Sequence, residues 1–285
     1  MLTYIQAIIL GILQGVSELF PISSLGHSVV LPSLAGWEIN TRDPFFLTFL
    51  VATHLATAIV LLGFYWRDWI KIIAGIFRAL RIREISGDDT YAKLGWLLIV
   101  STIPAGILGL LFEDQIRMIF ISPRSAALFL ALNGILLFVA ERLRRRAIAN
   151  VDSNPDAHIA KLSWREGILV GALQALALIP GFSRTGASLA SGLYVGLSHE
   201  DALRFSFLLA TPIIGAAAAL KIPELLASGN AHMINIALLG AVFAGIFAYL
   251  SVTFLSRYFH TERHTLIPFA MYCLIIGIAA SIYLL

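Results

Sequence analysis

The string Gln14-Gly15-Val16-Ser17-Glu18-Leu19-Phe20-Pro21-Ile22-Ser23-Ser24-Leu25-Gly26-His27-Ser28 interrupts an oily chain. Its frame returns 160 residues later in Gln174-Ala175-Leu176-Ala177-Leu178-Ile179-Pro180-Gly181-Phe182-Ser183-Arg184-Thr185-Gly186-Ala187-Ser188. At that offset Gly11, Leu13, Gln14, Ser23, Gly26 and Ser28 meet Gly171, Leu173, Gln174, Ser183, Gly186 and Ser188. Each string opens as an apolar run and is broken by proline, at Phe20-Pro21 and at Ile179-Pro180-Gly181. Proline removes a backbone donor and blocks helix continuation. Residues 2–20 and 164–179 therefore read as apolar helices that stop, with short second helices following near 24–36 and 184–197. A helix, a break and a second short helix predict a re-entrant hairpin with its non-helical tip buried in protein.

The rest of the chain sets these strings in a membrane. Of 285 residues 59% are hydrophobic and 13% charged, and the mean hydropathy is +0.86. That composition excludes an ordinary soluble domain and predicts an all-α polytopic membrane protein. Segments 44–66, 94–112, 123–141, 202–220, 233–256 and 266–285 have the length and apolarity of a span. A pI near 9.1 would fit a nucleic-acid binder, but the basic residues flank the spans and read as topology signals, so no nucleic-acid partner is expected. Cys273 is the single cysteine, which excludes an intrachain disulfide and a cysteine metal site. Met1 runs straight into an apolar segment with no basic leader, so no removable signal peptide is expected.

The repeat extends beyond the strings. Leu47-Thr48-Phe49-Leu50-Val51-Ala52-Thr53 resembles Phe205-Ser206-Phe207-Leu208-Leu209-Ala210-Thr211. The chain then reads as a single membrane domain, 1–285, with a first repeat over 1–141 and a second over 160–285. Each half is one hairpin plus three spans. Three is odd, so the halves are expected in opposite orientations, an inverted-topology repeat whose site lies near the midplane where they meet. Segments 67–93 and 142–165 each hold six Lys or Arg, whereas the opposite connections hold Arg42, Arg117, Arg124 and Lys221. The positive-inside rule puts 67–93, 142–165 and 257–265 in the cytoplasm and both termini outside. The Arg142–Arg146 run reads as a topology and headgroup feature. The hairpins then enter from opposite faces.

Gln14 and Glu18 are four apart and share a helix face. In a soluble protein that pair is a solvated surface; between Ile8-Ile9-Leu10 and Leu19-Phe20 the carboxylate needs a cation, a donor or a cavity. Ser23 or Ser24 is an ordinary N-cap, yet a helix N-terminus is also an anion site. His27 lies close enough to share the serines' face. Grouped with Glu18 and two hydroxyls, it reads as an acid, base or nucleophile rather than a lone hydrogen-bonded histidine. In the second string Arg184 sits between Ser183, Thr185 and Gly186 at a helix start, with Ser188 one turn on. A planar guanidinium, hydroxyls and helix amides compose a phosphate cradle. The competing reading is an Arg184–Glu18 pair for structure alone. His54, whose repeat partner is Pro212, reads as a helix-packing hydrogen bond. His158, His199, His232, His260 and His264 sit near charged connections and carry little signal.

These motifs resemble those of the bacterial undecaprenyl-pyrophosphate phosphatases of the bacitracin-resistance type. That family's first motif is Glu or Gln, three residues, Glu, then Pro-x-Ser-Ser-x-Gly-His, matched by Gln14, Glu18, Pro21, Ser23, Ser24, Gly26 and His27. Its second, Pro-Gly-x-Ser-Arg-Ser/Thr-Gly-Ala, is matched by Pro180, Gly181, Ser183, Arg184, Thr185, Gly186 and Ala187. The resemblance covers essentially the whole chain. It implies removal of the terminal phosphate of undecaprenyl diphosphate, giving the monophosphate carrier for cell-wall synthesis. It implies a divalent cation, Mg²⁺ before Ca²⁺, in a bacterial cytoplasmic membrane and a site reached from the outer side. On this reading Glu18 and the Gln14 carbonyl hold the cation. Arg184 grips the terminal phosphate with Ser183, Thr185, Gly186 and Ser188, and His27, Ser23 or Ser24 supplies the nucleophile or moves the proton, with activated water still open. Position 14 is Gln where many members have Glu, so a two-carboxylate metal site is not expected from this motif.

A second reading stays open. Inverted repeats with broken helices are transporter architecture, so a polyprenyl-phosphate flippase fits the same pattern. An acid-phosphatase-like lipid phosphatase does not, because its Lys-x₆-Arg-Pro and Pro-Ser-Gly-His set is missing. A homodimer is compatible with either reading.

Overall fold

A computed structural model describes residues 2–40, 43–112, 122–144, 155–227, 230–260 and 264–285. Among the described residues it is helical throughout: α1 (Tyr4–Ser17), α2 (Ser24–Leu34), α3 (Pro44–Phe64), α4 (Trp66–Ile82), α5 (Thr90–Leu111), α6 (Pro123–Arg144), α7 (Pro155–Ala160), α8 (Trp164–Gln174), α9 (Arg184–Tyr194), α10 (His199–Ala227), α11 (Ala231–Tyr258) and α12 (Ile267–Tyr283). Arg42, Arg117, Arg145 and Arg146, which entered the orientation argument, lie outside these residues, as does the side chain of Lys221.

Among the described residues five helices are long and apolar enough to cross a membrane: Phe45–Phe64, Thr90–Leu111, Pro123–Arg144, His199–Ala219 and Ala231–Tyr258. The sixth expected span, 266–285, forms a helix of 17 residues, at the short limit for crossing about 30 Å of hydrocarbon.

Both expected breaks are present. α1 begins on a capping box in which Thr3 and Gln6 satisfy each other's backbone N–H, and it stops at Ser17, ahead of Pro21. α8 begins on an equivalent box between Ser163 and Glu166. It tightens into a 3₁₀ turn over Ala175–Leu178 before Pro180. The second helices end earlier than expected, at Leu34 and Tyr194.

Two elements were not expected: the short α7, inside the connection 142–165, and α4. The basic connection 67–93 contains α4, which packs against α5 through Ile72, Gly75 and Ala79. It leaves Ile70, Ile73, Phe77 and Leu80 exposed. Exposed apolar side chains interleaved with Arg67, Lys71, Arg78 and Arg81 suit a helix lying in the membrane interface. At its far end Arg78 grips Asp89 through two hydrogen bonds of 2.9 Å, which hold the Asp89 carboxyl below its usual range.

α1 packs on α11 and α8 packs on α5, while α6 packs on α12 and α3 lies against both α10 and α11. Gly11 on α1 touches the Gly240 backbone, and its counterpart Gly171 on α8 touches the Ser101 backbone. A Cβ at either glycine would collide with main chain, so these residues set how closely the helices approach. Phe49 and Phe207, which occupy equivalent places in the two related heptapeptides, are both fully buried. Arg204 on α10 holds Asp156 of α7 at 2.7 Å and Asp68 of α4 at 2.9 Å, tying the peripheral helices to the bundle.

Candidate functional site

The two breaks meet. Gly26 and Gly181 are in contact, a Cβ on Gly26 lying 2.9 Å from the Gly181 Cα. Gly181 has φ +106, a conformation that an L side chain rarely adopts. The N-termini of α2 and α9 therefore converge, and their positive dipole ends come together.

Glu18 is the centre of the crossing. The residue is 6% exposed, and every bond its carboxylate makes is to a donor. Arg184 Nη2 donates to Oε1 at 3.0 Å. Oε2 accepts from Ser24 Oγ at 2.6 Å and from Gln14 Nε2 at 3.0 Å. His54 Nε2 lies 3.2 Å from the same oxygen. Thr185 Oγ1 donates to the Glu18 backbone carbonyl at 2.8 Å. Residues from both strings thus close on one carboxylate, including the Arg184–Glu18 pair that the structural reading of Arg184 anticipated.

Arg184 is held from behind. Nη1 donates to the Ser206 carbonyl at 3.2 Å, and Ser188 Oγ bonds the Arg184 carbonyl at 2.7 Å and Ser206 Oγ at 2.6 Å. Its Nε is buried with no acceptor. Ser183 caps α9 by accepting from Gly186 N–H at 3.0 Å. Ser23 caps α2 in the same way, from Gly26 N–H at 3.2 Å. The caps differ in backbone: Ser183 has φ −91, whereas Ser23 has φ 68, a left-handed conformation that costs a non-glycine residue about 1–3 kcal/mol.

His27 stands apart from the carboxylate. Its Nδ1 lies 2.6 Å from the Ser23 carbonyl, which can only accept, so that nitrogen carries the hydrogen. Nε2 lies 2.9 Å from the Tyr272 hydroxyl, and in the neutral ring it accepts the Tyr272 O–H. The ring also stacks on Tyr272 at 5.7 Å.

Two residues of the crossing belong to neither string. His54, expected to make a helix-packing bond, bonds within its own helix through Nδ1 to the Leu50 carbonyl at 2.7 Å; the contact that leaves the helix goes to the Glu18 carboxylate. Its other nitrogen faces Glu18, so both face oxygen acceptors, the bonding pattern of an imidazolium. Asn133 on α6 reaches Pro21 and Ser183, one residue in each break. The signal for His54 was its mismatch with Pro212 in the repeat; Asn133 had none beyond being an amide in an apolar span.

The donor set admits a divalent cation in part. Gln14 Oε1 is buried without a partner, beside the carboxylate that its own amide N–H contacts. Among the described residues no three His, Cys, Asp or Glu side chains gather as a metal centre. A hard cation at Glu18 and Gln14 would thus take its remaining oxygens from phosphate and water, a common arrangement for Mg²⁺.

A sequence model of the family described as bacitracin resistance protein BacA matches residues 7–279. The undecaprenyl-diphosphatase of Mycolicibacterium paratuberculosis is 46% identical over 99% of this chain and 98% of its own length. Undecaprenyl-diphosphatase 2 of Chromobacterium violaceum is 45% identical over 98% of each chain. The undecaprenyl-diphosphatase of Acidiphilium cryptum is 43% identical over 97% of this chain and 96% of its own.

Proposed function

The chain belongs to the bacitracin resistance protein BacA family, and from that membership and the crossed hairpins we propose that it is a multi-pass membrane hydrolase that converts undecaprenyl diphosphate to undecaprenyl phosphate and inorganic phosphate. The observation that carries the mechanism is the 2.6 Å bond from Ser24 Oγ to Glu18 Oε2. A hydroxyl donating to a buried carboxylate is a nucleophile paired with its base.

Ser24 Oγ attacks the terminal phosphorus and its proton passes to Glu18 Oε2. The bond from that phosphorus to the bridging oxygen breaks, and undecaprenyl phosphate leaves with the electron pair. Glu18 passes that proton on to the departing undecaprenyl phosphate and is again ionised. Water then attacks the phosphoserine, Glu18 takes the water proton and returns it to Ser24 Oγ as the serine oxygen–phosphorus bond breaks, and inorganic phosphate and free Ser24 result. His27 is less suited to the first transfer, because its Nδ1 hydrogen is committed to Ser23 and its Nε2 to Tyr272.

Phosphoryl transfer is catalysed chiefly by positioning and by positive charge on the phosphoryl oxygens. Arg184 supplies that charge. Its unpartnered Nε is a donor for phosphate, and its Glu18 contact is exchanged for substrate oxygens. Ser183, Thr185, Gly186 and Ser188 hold the guanidinium and the start of α9 in place. Glu18 and the Gln14 carbonyl are the residues that would hold a divalent cation, which when bound neutralises phosphoryl charge.

The topology belongs to the same proposal. The exchanged pairing of α1 with α11 and α8 with α5 supports an inverted repeat of two re-entrant hairpins. The Lys and Arg of 67–93 and 142–165 support a cytoplasmic side there and an outward-opening site in the cytoplasmic membrane. Single cysteines test it in a Cys273→Ser background. Ser86→Cys is expected to react with thiol reagents only in permeabilised cells, and Glu38→Cys with an impermeant reagent in intact cells; the reverse pattern overturns the orientation.

The activity is tested by phosphate release from undecaprenyl diphosphate by purified protein, with and without Mg²⁺. Acid quench of terminally ³²P-labelled substrate is expected to leave label on wild-type protein and none on Ser24→Ala. Near-wild-type turnover by Ser24→Ala removes the serine mechanism, and lipid transfer without phosphate release would favour the flippase reading.

A further inference from the structure

We propose that Asn133 is a positioning residue that sets the register of the two hairpin breaks and so the Ser24–Glu18–Arg184 geometry, an inference that rests on the diphosphatase reading above. Asn133 lies on α6, outside both polar strings, and is 0% exposed. Its Nδ2 donates to the Pro21 carbonyl at 2.9 Å and lies 3.5 Å from Cys273 Sγ. Its Oδ1 accepts from the Ser183 backbone N–H at 3.1 Å. Pro21 stands midway between Glu18 and Ser24, and Ser183 immediately precedes Arg184. One amide thus holds the main chain of both breaks at the points from which the base, the nucleophile and the cation extend.

A break within a membrane domain leaves backbone groups that no helix and no bulk water satisfies. A side chain with one donor edge and one acceptor edge answers a carbonyl in one break and an N–H in the other. Asp would offer no donor to Pro21, and Leu would satisfy neither group. The platform is also suited to the task. α6 lies close on α12, where a Cβ on Gly134 would sit 2.7 Å from the Ala270 carbonyl and one on Gly277 2.5 Å from the Ala131 nitrogen. The second break rests on the same helix: a Cβ on Gly181 would lie 2.7 Å from the Leu130 nitrogen, and one on Gly186 3.0 Å from Asn133 Oδ1. Asn133 has no hydrogen bond to Glu18, Ser24 or Arg184, so it acts through the two backbones.

Misplacing reacting groups by about 1 Å can cost on the order of 100-fold in rate. Loss of the bridge should therefore appear in kcat rather than KM. Wild type, Asn133→Leu, Asn133→Asp, Asn133→Ser and the neighbouring packing control Cys273→Ala are assayed for phosphate release from undecaprenyl diphosphate and for thermal melting in detergent. The two bridge-breaking variants are expected to lose about 30- to 100-fold in kcat with KM within about threefold. Asn133→Ser, which keeps a neutral group able to donate and accept, should fall between, and Cys273→Ala should stay within about twofold. A kcat for Asn133→Leu within about threefold of wild type, or a lowered melting temperature with unchanged kcat, overturns the assignment. Failure of all three Asn133 variants to accumulate folded also overturns it, because Asn133 would then be a folding determinant.

A second readout does not depend on activity. Spin labels at Ser33→Cys on α2 and Tyr194→Cys on α9, in a Cys273→Ser background, report the spacing of the hairpins. Asn133→Leu is expected to shift or broaden their distance distribution, and an unchanged distribution overturns the proposal. Inactive wild-type protein would sink the diphosphatase reading alone, leaving the label distances to judge Asn133.

Discussion

The two hairpins share a frame and divide the chemistry. In both, an apolar helix carries a glutamine, stops before a proline and restarts on a serine cap, with a glycine at the third helical position. At matching places Glu18 faces Leu178 in the alignment and Ser24 faces Arg184. The first break therefore carries a carboxylate and a hydroxyl, and the second carries a guanidinium. The backbones differ as well, since Ser23 is left-handed and Ser183 is extended. A repeated scaffold brings two similar helix starts together, and substitutions at equivalent positions then make the halves complementary. Neither half has a complete site, because Glu18 needs Arg184 and Thr185 from the other.

The sharpest break in that comparison comes from removing a charge on either side. Glu18→Gln and Arg184→Lys are each expected to lower kcat/KM by about 10³-fold while the protein still inserts, since one removes the base and the other the bidentate fork. Phosphate-release kinetics on the purified variants decide this, and near-wild-type turnover in either removes that residue from its role. Replacing His54 should matter less. His54→Leu removes one donor to a buried carboxylate and is expected to cost about 10- to 100-fold, with His54→Gln recovering most of it. Equal losses in both variants would mean that His54 does more than donate.

Smaller still is the contrast between the two caps, read as melting temperature in detergent. Ser183→Gly loses only a cap and should destabilise by a few tenths of a kcal/mol. Ser23→Gly loses the same cap but relieves a left-handed residue, and should be neutral or stabilising by up to about 1 kcal/mol. Equal destabilisation by both would remove the backbone difference between the hairpins.

The spans and the breaks were legible because their causes are local. An apolar run of about 20 residues and a proline act on the segment that contains them. α4 was not legible: its apolar residues are interleaved with Arg and Lys, so the segment reads as a charged connection until its helical twist is known. Within the site, Glu18, Ser24, Arg184 and Thr185 could be picked out because polar side chains cluster in the strings. Asn133 could not, because it sits alone in an apolar span and its role depends on which way the helix is turned; His54 was marked only by its mismatch with Pro212, which does not say that it faces Glu18. The orientation of His27 was hidden for a related reason, since its partner Tyr272 is 245 residues away.

The central claim is that one carboxylate and one guanidinium from opposite hairpins act as a single unit on the phosphate. A double-mutant cycle on kcat/KM with Glu18→Asp and Arg184→Lys tests it most directly, because both substitutions keep the charge and leave activity to measure. Residues that act as a unit give losses that do not multiply. The account predicts that the double variant falls within about tenfold of the weaker single variant. A double variant whose loss equals the product of the two single losses would contradict it, because Glu18 and Arg184 would then be acting independently.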